Sequence, residues 1–130
     1  MNPPVETIRL GKQSRDQLVK IKRNTGIPTW NVICRWAFCA SLREPTPPPT
    51  EKASTDNGVE MTWKVFAGDQ SQTYETLLKH DHAMRTDAGN PMDQGALLHA
   101  HIRRGLGYLS SGTEIRTIND FIARWAPLRR

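Results

Sequence analysis

The stretch that most restricts the fold is TWNVICRWAFCASL, residues 29–42, bracketed by Pro28 and Pro45. Trp30, Val32, Ile33, Cys34, Trp36, Ala37, Phe38, Cys39, Ala40 and Leu42 wrap nearly all the way round a helix that Thr29 is expected to cap. A helix that is apolar on all sides must be buried on most of them. In a chain of 130 residues, that burial is expected to include a second subunit, so Ile33 and Trp36 are assigned to contact between copies. The following run, Glu44 to Thr50, has four prolines in seven residues; it stops the helix and reads as an extended linker.

Upstream of this helix lies a strand, a basic helix and a turn. Ile8 and Leu10 alternate with Thr7 and Arg9, which predicts a short strand; such a strand must pair, within the chain or with another copy. Ser14-Arg15-Asp16-Gln17 fits a capping box and predicts a helix opening at Ser14, with Leu18 and Ile21 as its apolar seam. Gly26 is suited to the left-handed residue that closes a helix. In residues 1–23, Arg9, Lys12, Arg15, Lys20, Lys22 and Arg23 face only Glu6 and Asp16, which concentrates four of the chain's five net positive charges there. A clustered basic face suits a polyanion, so these six are the candidate DNA-phosphate ligands.

Downstream, Val59, Met61, Trp63 and Val65 alternate with polar residues and predict a second strand ending at Gly68. Residues 71–84 read as a helix with Tyr74, Leu77, Leu78 and Ala83 inward. Asp93 is expected to cap a helix over residues 94–109. Its face Leu98, Ile102, Leu106 and Leu109 suits packing, and Gly105 suits close approach to a neighbour. Leu98, Ile102 and Gly105 therefore join the expected contact between copies. Thr117 is expected to cap a last helix, residues 118–125.

Other chemistries fit poorly. Cys34 and Cys39 are spaced unlike zinc or redox motifs and read as packing residues in a reducing compartment. His80/His82 and His99/His101 lie two apart on helices, so each pair diverges rather than gripping one metal; His101 reads as a hydrogen-bonded packing residue. Gly105-x-Gly107 follows a helical pattern and lacks the strand that a dinucleotide fingerprint needs. No apolar run matches a membrane span or a secretory signal, so a cytoplasmic location without membrane contact is expected.

The order strand, helix, Gly-containing turn, helix over residues 6–42 resembles the ribbon-helix-helix DNA-binding proteins. That resemblance implies two chains pairing their strands, with Thr7 and Arg9 facing the groove. A longer combination resembles the DndE family of the bacterial DNA phosphorothioation system. It comprises the basic strand-helix-helix start with WNVICRWA, the segment MTWKVFAGD and the helix HAHIRRGLGYL, within residues 5–111. The resemblance implies a mostly helical fold like that of ribbon-helix-helix proteins, a homotetramer, and DNA binding through surface lysines with a preference for nicked duplex. It also implies work beside a cysteine desulfurase, an iron–sulfur sulfur-transfer subunit and an ATPase. The family's lysines carry over only to Lys12, Lys20 and Lys22.

The resulting expectation is a mainly α single domain (residues 1–130) with short β-strands. It comprises a ribbon-helix-helix-like segment (5–42), a Pro-rich flexible linker (45–57) and a strand plus helices (58–126). Its expected function is non-enzymatic, homo-oligomeric DNA binding in sulfur modification, without cofactor or metal. The alternatives are a ribbon-helix-helix regulator reading an operator and an assembly protein whose basic face docks an acidic partner subunit.

Overall fold

The computed structural model describes residues 3–49, 54–86 and 93–111. It is mainly helical with one small sheet, in the order β1 (Thr7–Leu10), α1 (Lys12–Thr25), α2 (Trp30–Leu42), β2 (Val59–Thr62), α3 (Trp63–Ala67), a 3-10 turn, α4 (Ser71–Thr86) and α5 (Gln94–Ser110). The expected last helix at residues 118–125 lies outside the described residues. None of the described helices is long and apolar enough to cross a membrane.

β1 pairs antiparallel with β2 of the same chain, Ile8 opposite Met61 and Arg9 opposite Glu60. Ile8, Leu10 and Met61 point into the core, and Arg9, Glu60 and Thr62 face out. The other edge of β1 meets α5, where the Arg9 N–H donates to His99 Nε2 at 3.1 Å. His99 holds the complementary tautomer, with Nδ1–H donating to the Gly95 carbonyl at 2.7 Å. The ribbon of the ribbon-helix-helix resemblance is thus replaced by an intrachain pair, because β2 takes one edge of β1 and α5 closes the other.

The first helix opens at Lys12 rather than Ser14. Gly11 is its N-cap, in extended backbone and without a side-chain bond, while Ser14 lies buried in line with Leu18, Ile21 and Thr25. The i, i+4, i+7, i+11 spacing of these four outweighs the local capping signal. Gly26 closes the helix as expected, with φ 75° and its N–H on the Lys22 carbonyl. Thr29 precedes α2 in extended backbone, with no side-chain cap bond.

The second strand is shorter than its alternation suggested. The Thr62 side chain accepts from the Val65 N–H at 3.2 Å and caps α3. Trp63, Phe66 and Ala67 then go inward and Val65 is half exposed. Trp63 fits the period of two and equally the i, i+3, i+4 pattern with Phe66 and Ala67, and the cap decides between them. Arg35 and Asn31 of α2 donate to the carbonyls of Phe66 and Val65 and hold α3 in place.

The core sits between α2 and α5, which run antiparallel, with Ala37 against Gly105 and Ser41 against His101. Phe38 is its centre, edge-on to Phe66 (6.0 Å) and to His101 (5.8 Å). Asp93 caps α5 as expected, accepting from the Ala96 N–H at 2.8 Å. Its face Leu98, Ile102, Leu106 and Leu109 is buried. In α4 only Leu78 of the expected inward set is fully buried; Tyr74 is half-buried, and Leu77 and Ala83 are exposed.

This packing corrects the assignment of contacts between copies. The chain's own α5, rather than a second subunit, covers most of α2. Ile33, Leu98 and Ile102 have no exposed surface, and Gly105 is buried against the Ala37 backbone. Trp36 alone of the five is half-buried. Cys34 is buried and its thiol is pushed up to about 12 by burial, whereas Cys39 is exposed, against expectation.

Candidate nucleic-acid interface

Among the described residues, the outer face of α1 gathers five exposed cations around one acid, Asp16. Residues of an α-helix turn by roughly 100° each. With Ser14, Leu18, Ile21 and Thr25 inward, Lys12 and Arg23 stand almost opposite, on the crest. Arg15 and Lys22 occupy one flank and Lys20 the other. All five are exposed, and among the described residues none is in an ion pair. Lys22 and Arg23 also occupy the last turn, where positive charge complements the helix dipole. Asp16 is the one acid on this exposed surface of α1.

Arg9 lies apart from this group. It is on the outward face of the sheet and pairs across the strands with Glu60, 3.5 Å away, both side chains being more than 60% exposed. A solvent-exposed pair of this kind is worth little energetically, but the carboxylate offsets the charge that a phosphate would meet. Five of the six predicted ligands therefore share one helix, and the sixth has its own counter-charge. Sequence reasoning passed over Val19, which is 46% exposed between Lys12, Arg15 and Arg23. An apolar exposed residue breaking the helical pattern was the available signal. Its methyl groups leave an exposed apolar spot amid these cations.

A second constellation, of polar side chains, joins three helices. Arg104 Nε donates to Ser41 Oγ at 2.8 Å. Ser41 Oγ is 2.7 Å from His101 Nδ1, and His101 Nε2 is 2.6 Å from Asp81 Oδ2. Arg85 donates to the same Asp81 oxygen at 2.9 Å. A carboxylate only accepts, so Nε2 carries the proton and the neutral ring accepts at Nδ1 from the Ser41 hydroxyl. Burial pushes His101 below the ordinary histidine value, with Asp81 opposing. Burial also pushes the Asp81 carboxyl up, but hydrogen bonds from Arg85 and His101 outweigh it and leave the group below the usual carboxylate range. Serine, histidine and aspartate in sequence evoke a nucleophile relay. Ser41 and His101, however, have no exposed surface, and Arg104 already occupies the serine oxygen. The arrangement ties α2, α4 and α5 together, as expected of His101. Arg104 also donates to the carbonyls of Ser41 (2.7 Å) and Thr46 (2.8 Å), which pins the start of the Pro-rich stretch, where Pro48 is buried.

Among the described residues, no three His, Cys, Asp or Glu side chains converge as a metal site would require. Asp81 turns to His101, and the neighbouring His80 is exposed.

A family profile described as the DNA sulphur modification protein DndE matches residues 7–117. The crystal structure of DndE from Escherichia coli B7A, involved in DNA phosphorothioation modification, is 27% identical. It superposes with a TM-score of 0.63 over 81% of this chain and 95% of that one. The crystal structure of a DndE mutant with lysine for glycine at two positions, also involved in DNA phosphorothioation, is 25% identical. Its TM-score is 0.61 over 81% of this chain and 97% of that one. No curated protein matches the chain.

Proposed function

The chain belongs to the DndE family of DNA sulphur modification proteins, and from that premise we propose that it is a non-enzymatic, self-assembling DNA-binding subunit of the phosphorothioation machinery. The observation that carries this reading is the outer face of α1, where Lys12, Arg15, Lys20, Lys22 and Arg23 are exposed around a helix anchored on its opposite side. A preformed helix presents these cations without a backbone ordering cost at binding. Each phosphate neutralised releases a counterion, so affinity is electrostatic and largely indifferent to sequence.

Self-assembly, as a homotetramer in this reading, multiplies that face, and several weak contacts on one duplex raise the apparent affinity. A nick lowers the cost of bending duplex across more than one such face. The subunit works in the cytoplasm beside the other subunits of the system, bringing DNA to them rather than performing chemistry on it.

Competition binding of intact and nicked duplexes of unrelated sequence, at two salt concentrations, tests the proposal. The expected result is comparable affinity across sequences, tighter binding to nicked duplex and a steep loss with salt. One operator outcompeting random duplex by about a thousandfold would replace this reading with that of a sequence-specific regulator.

A further inference from the structure

Beside the last turn of α1, a recess of about 340 Å³ opens between the α1–α2 turn, β2 and α3. Its apolar lining is Pro28, Trp30 at the start of α2, Val59 and Met61 of β2, and Val65 of α3. Val65 is 50% exposed, Pro28 is exposed, and Trp30 and Val59 are half-buried, so much of this apolar surface meets solvent. Polar groups stand among it. Asn31 Nδ2 donates to the Val65 carbonyl at 3.1 Å, which leaves its Oδ1 as an acceptor. The Thr29 side chain makes no capping bond. The Trp30 indole N–H is enclosed and has no acceptor among the described residues, an orphan that is uncommon in a finished interior. Lys22 is the one cation of the lining, and its one acid, Glu60, is paired with Arg9.

We infer that this recess takes an unpaired nucleobase of a DNA strand whose phosphates lie on Lys22 and Arg15. The inference rests on the reading of the chain as DNA-binding and adds a base contact to the phosphate contacts of α1. The occupant is argued from charge and chemistry together. A wholly apolar partner would bury Lys22, Thr29 and Asn31 without partners, which is costly. A nucleotide matches each part of the lining. Its ring has a π-face for Trp30 and Val65, its edge has donors and acceptors for Asn31 Oδ1 and the Thr29 hydroxyl, and its phosphate suits Lys22. A base carbonyl or ring nitrogen is also the kind of acceptor that the Trp30 indole lacks.

The placement follows from the geometry of α1. Arg15 and Lys22 share the flank that borders the recess, so a backbone held on that flank brings a base to its mouth. A paired base has its edge and both faces engaged in the duplex, whereas a base already unpaired enters at little cost. The contact therefore discriminates the state of the base, and it tolerates any sequence because every base has a π-face.

The test compares two duplexes of the same sequence, one fully paired and one with a single unpaired thymine, binding to the full chain and to a Val65→Glu variant. Val65 is exposed and only its backbone is hydrogen-bonded, so the variant should keep its circular dichroism. The readout is the ratio of the two affinities, in which the effect of the added charge on phosphates cancels. The natural protein is expected to prefer the unpaired-thymine duplex by about tenfold and to protect that thymine from permanganate. The variant should bind both duplexes alike and leave the thymine reactive, and Trp30→Leu should do the same. No binding to either duplex at low salt would overturn the DNA-binding reading itself. Binding to both with a ratio near one and a reactive thymine would overturn the recess alone. So would a preference that Val65→Glu retains, since bending at the unpaired site would then explain it.

Discussion

Gly105 of α5 lies so close to Ala37 of α2 that a β-carbon on Gly105 would overlap the Ala37 carbonyl oxygen. The two helices meet backbone to backbone at this point, one turn from the Ser41–His101 contact. This glycine, which the sequence suggests for contact between copies, sets the spacing of the fold's main helix pair.

Gly105→Ala should therefore force α2 and α5 apart and cost about 3 kcal/mol, the upper range for overpacking a tight interior. Gly107, two residues on, has nothing within 4 Å of where its β-carbon would stand. Gly107→Ala should stabilise the helix by up to about 1 kcal/mol. Urea unfolding of the two variants gives opposite signs if the close approach is real, and equal small effects if it is not.

The geometry of α1 ranks its cations. Lys12 and Arg23 stand on the crest, whereas Lys20 and Lys22 lie on opposite flanks. Lys12→Glu with Arg23→Glu should weaken binding to every duplex alike, and more than Lys20→Glu with Lys22→Glu. Each lost phosphate contact should flatten the logarithmic salt dependence by about 0.9. Titration of labelled duplex at four salt concentrations reads both quantities. An unchanged slope in the crest variant would remove α1 as the binding face.

Acid should destabilise the fold in two steps. Burial lowers His101 below its ordinary value of 6.5, so the folded state favours the neutral ring. The stability this contributes is fully present above pH 6.5 and is lost as the pH falls below it toward the folded value. Asp81 is also lowered, from 3.8, so its share is present above that value and fades as the pH falls further. Thermal unfolding from pH 8 to pH 3 should show the melting temperature dropping first below about pH 6.5. His101→Gln should lower the melting temperature at neutral pH and flatten that first step. A first step that persists in the variant would place its origin elsewhere.

Local patterns in the sequence were read well where neighbours along the chain decide the outcome. Gly26 closes α1 because a left-handed turn suits glycine, and Asp93 opens α5 because its carboxylate reaches the Ala96 N–H. Misreadings came where two local patterns overlap. Ser14-to-Gln17 mimics a cap but falls inside a helix. Trp63 satisfies both strand and helix periods.

By itself, the sequence determined that the chain is mainly helical, where most helices run, which face of α5 is buried and that positive charge gathers near the N-terminus. Periodicity, caps and charge are properties of residues a few positions apart, so they survive without knowledge of the fold. Only the tertiary structure decided what covers α2, which strand pairs with β1, and that Ser41, His101 and Asp81 meet. Each joins residues 20 to 70 or so apart in the chain, and burial of apolar surface accepts any complementary partner. The apolar girdle of α2 demanded a cover without specifying one, and α5 supplied most of it.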